Sequence, residues 1–542
     1  MARNLALLLP ALLLACDPGS ASTGDTDGDD SSSGGDTSGG TAQTTDDPDA
    51  TTDTPDTSGA DTSGGPDDTT GPDATTDTPE TSGADTSGGP DDTTGPDDTT
   101  GPDDSSSSTS GQPDTVCGDG LVEGDEACDD GDDNGGYEQC AADCSGPGPF
   151  CGDGQTDAAF EQCDDGDAVN GNGCNVDCVV SGSTMWEVTK TTIGSSSFDV
   201  GLDVAALEDG TIRMGQRSEP TDDSQSIIIT DYELDGTEFD EHTHVNEAPA
   251  SVHMGIGSMD RSGGYLLSYG TSGVFTDPDD IVARDADHVV DWSAAIPDAD
   301  DIERRPGGGA VHTDRASVLE PTQWVVLDAS GNATYTSPAD GAIFHGNLIP
   351  DGDDAVYIAG GVDVGGVQPT LTRYSTNGTM LWREFYDLPE GGDLTAWANS
   401  AMAVGSDGRV VLANTPSAGV DNEALISVFA SDGSLLWDTF YAHDASDETT
   451  TVRDVAIDSQ GNVIVVGTVR TGPFNSWDSD ALVLKYDATG TLLWVRTFSG
   501  DVEQGSEHAY GVTVLEDDSI AVAGAREDVE HAPDAWLVRL AP

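Results

Sequence analysis

From Met185 to the end of the chain, short apolar runs alternate with polar turn residues at a long, regular period. VAIDSQGNVIVVGTV from Val455 matches AVGSDGRVVLANT from Ala403 and VTVLEDDSIAVAGA from Val512. A second pattern accompanies the first: LTRYSTNGTMLWREFY from Leu371, ALISVFASDGSLLWDTFY from Ala424 and ALVLKYDATGTLLWVRTF from Ala481. Apolar residues at alternate positions give a strand one inward face, and Asp-Gly, Asn-Gly or Thr-Gly between two such runs closes a tight hairpin. Each unit therefore reads as two hairpins. The first turn of each unit falls near Asp209, Gly263, Gly307, Asp353, Asp407, Ser459 and Asp517, at steps of about 45–58 residues. Seven four-stranded units with almost no helical pattern predict an all-β fold, a seven-bladed β-propeller over residues 185–542.

The ends predict how the ring closes. The last unit stops at DAWLVRLAP, a third strand. MWEVTKTTIG from Met185 has the fourth-strand pattern of LLWVRTFSG, so residues 185–194 are expected to complete the last blade and remove two free edges. Trp382, Trp437 and Trp494 take one place in their units, with Trp186 and Trp292 as counterparts. A recurring indole of this kind is read as packing between blades. Residues 303–337 fit the unit least well.

Before the repeats the apolar pattern vanishes. Residues 17–116 are almost wholly Asp, Thr, Ser, Gly and Pro, and TDTPDTSGADTSGGPDDTTGPD from Thr52 recurs with one change from Thr76. Such a segment cannot bury enough surface to offset conformational entropy, so residues 16–116 are expected to be a disordered acidic tether. A flexible chain of about 100 residues spans roughly 50–60 Å, and carboxylate repulsion stretches it further. At the start, MARNLALLLPALLLAC combines Arg3, an apolar run too short to span a bilayer, and Cys16. Leu13-Leu14-Ala15-Cys16 resembles the bacterial lipobox. The resemblance implies a signal peptide over residues 1–15, lipidation of Cys16, and a membrane anchor on the cell envelope, at the outer membrane or cell surface.

Eight of the nine cysteines crowd into residues 117–180, as Cys117, Cys128, Cys140 and Cys144, then Cys151, Cys163, Cys174 and Cys178. Four per unit in an exported chain predict a disulfide framework, with three pairings open in each unit. The pattern CGDG–EQCDDG–GC–C is similar to the myxobacterial cysteine-rich repeat, which implies an exported context but no activity. Within the second unit Asp164, Asp165, Asp167, Asn170 and Asn172 lie close together among glycines, a set of hard oxygen ligands that would suit calcium. The same residues also build turns.

Charge narrows the function further. Asp and Glu total 103 against 18 Lys and Arg, a formal net charge of −85, and no basic residue lies between Arg3 and Lys190. That balance excludes nucleic acid as a partner. The repeat units resemble SBBP-type propeller repeats, which carry no fixed activity. His242, His244 and His253 form the densest histidine group and read as surface residues or a weak metal site. The expected function is a non-enzymatic display protein whose propeller binds an envelope or extracellular protein or glycan. The alternatives are a carbohydrate-active enzyme using paired Asp and Glu in the propeller funnel, or a calcium-dependent adhesin.

Overall fold

The structure is a computed structural model. It describes residues 116–542 except 192–197, 220–224, 246–251, 272–277, 298, 315–322, 339–342, 364–366, 387–400, 416–422, 443–448, 471–477, 501–504 and 528–532; side chains at some strand ends, including 252–254, are also outside the description. The residues expected to form a signal peptide, and all but the last of those expected to form a tether, Cys16 among them, therefore lie outside the described residues.

Seven four-stranded antiparallel sheets form the ring. Blades 1 to 6 cover residues 198–245, 252–297, 299–336, 343–385, 401–441 and 449–498. Blade 7 takes three strands from residues 508–540 and its outermost from Thr184–Lys190, which pairs antiparallel with Asp534–Leu540. The strand expected to close the ring does so, and residues 192–194 fall outside the described residues. All seven first turns lie between the inner two strands of their blades, where the repeat places them. The poorly matching third unit begins a few residues earlier than its sequence suggests, with the strand Ala299–Arg304.

Burial follows blade depth. Val410–Asn414 and Asp534–Leu540 are buried throughout, whereas the outermost strand Met380–Phe385 is mostly exposed. Continuous apolar runs thus mark strands covered on both faces, and mixed ones mark the rim. Seven apolar clusters lie between successive blades, including one that joins Val204 and Tyr232 of blade 1 to Ala521 and Leu537 of blade 7. The ring is therefore closed by packing as well as by strand pairing.

Central carboxylates serve the same closure. Asp203, Asp301 and Asp454 each sit at a bulge in an innermost strand. Each accepts a backbone N–H from the next blade: Met259 at 3.2 Å, Leu348 at 2.8 Å and Val512 at 2.8 Å. Acids elsewhere are used in turns. The Asp432 carboxyl takes hydrogen bonds from the Ser434 hydroxyl and backbone, which hold it below the usual carboxylate range.

In the cysteine-rich neck, residues 117–180, the first cysteine of each unit pairs with the fourth and the second with the third: Cys117–Cys144, Cys128–Cys140, Cys151–Cys178 and Cys163–Cys174. Stacking of Tyr137 on Phe160, at 4.7 Å between ring centroids, joins the two units. The neck runs directly into the propeller. Arg496 of blade 6 donates to the carbonyls of Ser181 and Gly182, and Gly182 N–H donates to Ala541.

Candidate functional site

Six of the seven blade junctions are built alike. The third residue of an outermost strand is aromatic, and its ring lies on a glycine in the last turn of the next blade. Trp186 covers Gly236, Trp292 covers Gly331, Tyr335 covers Gly378, Trp382 covers Gly433, Trp437 covers Gly490 and Trp494 covers Gly182. These glycines all have φ between +70 and +92°, and a methyl group on those under tryptophan would come within 2.7–2.9 Å of the indole. Only glycine suits both demands, the left-handed turn and the close ring. The indole N–H groups of Trp186, Trp382 and Trp437 donate to carbonyls two residues before the glycine. The expectation of inter-blade packing for these tryptophans is met, and Tyr335 supplies the equivalent in blade 3.

The junction between blades 1 and 2 departs from this rule on both sides. Asp240 stands where the aromatic residue belongs, and His288 stands where the glycine belongs. His288 keeps the left-handed turn at φ +64°, a conformation uncommon for residues with a Cβ. The two replacements touch, with His288 Nε2 3.4 Å from Asp240 Oδ2.

Strand alternation then aligns a polar row. Asp240, His242 and His244 occupy alternate positions of the strand Glu238–Val245 and share one face. His242 stacks on His288 at 4.4 Å and 9°, and its centroid is 4.5 Å from that of His244. Fully buried Tyr265 ties the group together: its hydroxyl lies 2.7 Å from His244 Nε2 and 2.9 Å from His288 Nδ1. Burial, with Arg284 and the other two histidines adding, pushes His244 down to about 3. Burial and nearby Arg213 also lower His288. Both rings are therefore neutral at physiological pH. Beside them Asp231 grips Arg213 through two hydrogen bonds of 2.7 Å, and Arg213 also donates to the carbonyls of Gly263 and Ala286. An open cleft of about 510 Å³ lies at this junction, lined by Asp231, Phe239, Asp240, Arg261, Asp287 and His288 among others.

The sequence groups His242 and His244 with His253, which lies in the innermost strand of blade 2 with its side chain outside the described residues. Neither His288 nor Asp240 stands out in that grouping. The signal was present: a glycine four residues before the aromatic recurs at Gly182, Gly331, Gly378, Gly433 and Gly490, and it fails at Gly236–Asp240 and His288–Trp292.

The residues considered for calcium are placed as follows. Both Asp164 oxygens face backbone donors, from Gly152, Asp153, Gly154 and Gly166. Burial opposes ionisation there, yet those donors hold the carboxyl below its ordinary range. Asp165 accepts from Asp167 N–H, Asp167 from Val169 and Asn172, and Asn170 from Val176. Among the described residues, Asp164 comes together with Glu161 and the disulfide sulfur of Cys178, and Asp129 repeats this with Glu126 and Cys144.

A second polar cluster precedes the innermost strand of blade 7. Burial pushes the Glu507 carboxyl up to about 7; backbone N–H groups of Gly500 and Glu527 oppose the shift, and the charges of Asp480 and Glu527 add to it. Ser506 Oγ lies 2.9 Å from His508 Nε2, and His508 Nδ1 lies 2.8 Å from Thr468 Oγ1.

No protein-family profile matches the sequence, and no curated protein matches it. Solved structures do match. A protein of unknown function from Dyadobacter fermentans is 10% identical, with coverage of 67% of this chain and 100% of that one and a TM-score of 0.38. The phage phi92 endosialidase is 9% identical, over 65% of this chain and 68% of that one, with a TM-score of 0.38. The β-propeller domain of the trilobed protease from Pyrococcus furiosus is 11% identical, over 63% and 95%, with a TM-score of 0.37. These likenesses are too distant to carry function.

Proposed function

We propose that this chain is an exported, lipid-anchored display protein whose propeller binds a protein or glycan partner in the cleft between blades 1 and 2. One observation carries the reading. The only junction of the ring to abandon aromatic-on-glycine packing opens a polar cleft at that place, with Phe239 half exposed beside charged groups. A shallow pocket mixing one aromatic face with a few oriented polar groups suits recognition. Residues Leu13 to Cys16 support the anchor, and the acidic segment after them supports a spacer at the cell surface. The disulfide-bonded neck, similar to the myxobacterial cysteine-rich repeat, fits an oxidising compartment.

The test rebuilds the repeat. Asp240→Trp with His288→Gly restores the packing of the other junctions and fills the cleft. On an array of envelope and extracellular glycans, the wild-type chain binds and the double variant does not, while both keep the same circular dichroism. Equal binding by the two would move recognition elsewhere. Membrane fractionation tests the anchor: Cys16→Ser should release the protein to the soluble fraction.

Glu507, with its raised affinity for a proton and Glu527 and Asp480 nearby, favours the second reading, a carbohydrate-active enzyme using an acid–base pair of carboxyl groups. Hydrolysis of an array glycan, lost in Glu507→Gln, would put that reading first.

A further inference from the structure

We propose that Arg453, Arg470 and the hydroxyl of Tyr510 form a site for a carboxylate group at the junction of blades 6 and 7, apart from the cleft of blades 1 and 2. Arg453 and Tyr510 are the extra residues of bulges in two innermost strands, Thr449–Ile457 and His508–Val514. A bulge leaves its extra residue unpaired and re-aims the side chain. The two side chains meet, with the Arg453 guanidinium 5.6 Å from the Tyr510 ring centroid. Arg470 ends the neighbouring strand Val463–Arg470. His508 ties the group together: its ring centroid is 5.5 Å from that of Tyr510, and the charges of both arginines act on it. Contacts of its two nitrogens with Ser506 Oγ and Thr468 Oγ1, at 2.9 and 2.8 Å, fix that ring.

Acidic residues outnumber basic ones 103 to 18, and eight arginines accordingly lie within 3.6 Å of a carboxylate. Arg453 and Arg470 have neither a carboxylate nor a hydrogen-bond acceptor among the described residues, and Arg453 Nε is buried without one. A buried donor left unmade is costly, and an incoming acceptor relieves it. Both guanidiniums, His508 and Tyr510 are partly exposed, so a ligand can reach them. Burial, opposed by the charges of Arg453 and Arg217, raises the Tyr510 phenol, which stays protonated and able to donate. Arg217 itself is held by Glu219 at 3.2 Å. A guanidinium fork matches the two oxygens of a carboxylate. Negative charge borders the site on one side: Glu527 accepts the Ser506 N–H at 3.1 Å, and Glu507 beside it titrates at about 7. That border favours a monoanion over a dianionic phosphate.

The site stands or falls independently of the cleft and of any acid–base role for Glu507. Sodium glucuronate, sodium acetate and glucose are titrated separately into the full chain at pH 7 and constant ionic strength, with binding read by ligand-detected NMR. Glucuronate is expected to bind and glucose not to. Acetate separates the sources of the group: an affinity within about tenfold of glucuronate makes the carboxylate alone the ligand, and a larger gap gives the sugar ring a share. Arg453→Gln and Arg470→Gln should each weaken glucuronate binding about tenfold or more, with Arg453→Lys, which keeps the charge without the fork, falling between. Circular dichroism checks the fold of each. Tyr510→Phe keeps the ring beneath Arg453 and removes only the donor, so its several-fold loss reads the site even where an arginine variant fails to fold. Absence of glucuronate binding, glucose binding equal to it, affinity unchanged in the folded variants, or displacement of glucuronate by phosphate more readily than by acetate overturns the proposal.

Discussion

Glu507 and His508 are neighbours in sequence with opposite proton behaviour. Glu507 titrates at about 7 in the fold against an ordinary 4.5, so it favours the folded state fully below 4.5 and loses that contribution as pH rises through 7. His508 is pushed down to about 4 from 6.5, chiefly by burial with Arg453 and Arg470 adding. Its unfolded form takes up the proton first, so stability is fully present above 6.5 and is lost as pH falls towards 4. Between 4.5 and 6.5 the two slopes oppose one another. Removing one exposes the other. Relative to the wild type, Glu507→Gln should lose up to about 1.4 kcal/mol per pH unit on acidification through that window. His508→Gln should show the reverse slope, losing stability as pH rises. Urea midpoints across the window measure both, and parallel curves for the two variants would contradict the assignment.

The strand Thr184–Lys190 depends on the turn before it. Gly182 stands two residues ahead of its strand, as Gly236, Gly331, Gly378, Gly433 and Gly490 do, with φ +70° and the Trp494 ring against it. Gly182→Ala would place a methyl group 2.9 Å from that ring and strain the turn, so it should destabilise the propeller by about 1–3 kcal/mol. Protease sensitivity near residue 184 should rise with it. The reverse change belongs to the junction of blades 1 and 2. Asp240→Trp with His288→Gly buries an aromatic ring and relieves a left-handed residue, and should raise stability by about 2 kcal/mol in urea. Strands, turns and blade number were legible because each is written locally, in alternating apolar residues and Asp-Gly pairs. Closure by residues 185–190 was legible too, since a third strand without a fourth leaves a visible gap. The cleft was not. Trp382 and Gly433 touch across two units, so neither unit alone shows that they are partners. Only when that pairing is known do Asp240 and His288 become one departure instead of two unremarked residues.

Neck and propeller are stabilised by different means. The neck buries four of its cysteines deeply but leaves Leu121, Val122, Phe150 and Phe160 exposed, so its apolar residues build no core. Crosslinks of about 2–4 kcal/mol each supply what packing does not. The propeller has no cysteine after Cys178 and relies on its seven inter-blade clusters. A reducing agent should therefore separate them. Reduction removes the Cys151–Cys178 and Cys163–Cys174 links just ahead of the closing strand, yet Gly182, Ser183 and Ala541 stay joined by backbone hydrogen bonds. The propeller should keep its main calorimetric transition, shifted down by only a few degrees, while amide exchange across residues 117–178 accelerates to that of an unfolded segment. A propeller that melted together with the reduced neck would mean that the closing strand is held by the disulfides upstream of it, and that the ring does not close on its own packing.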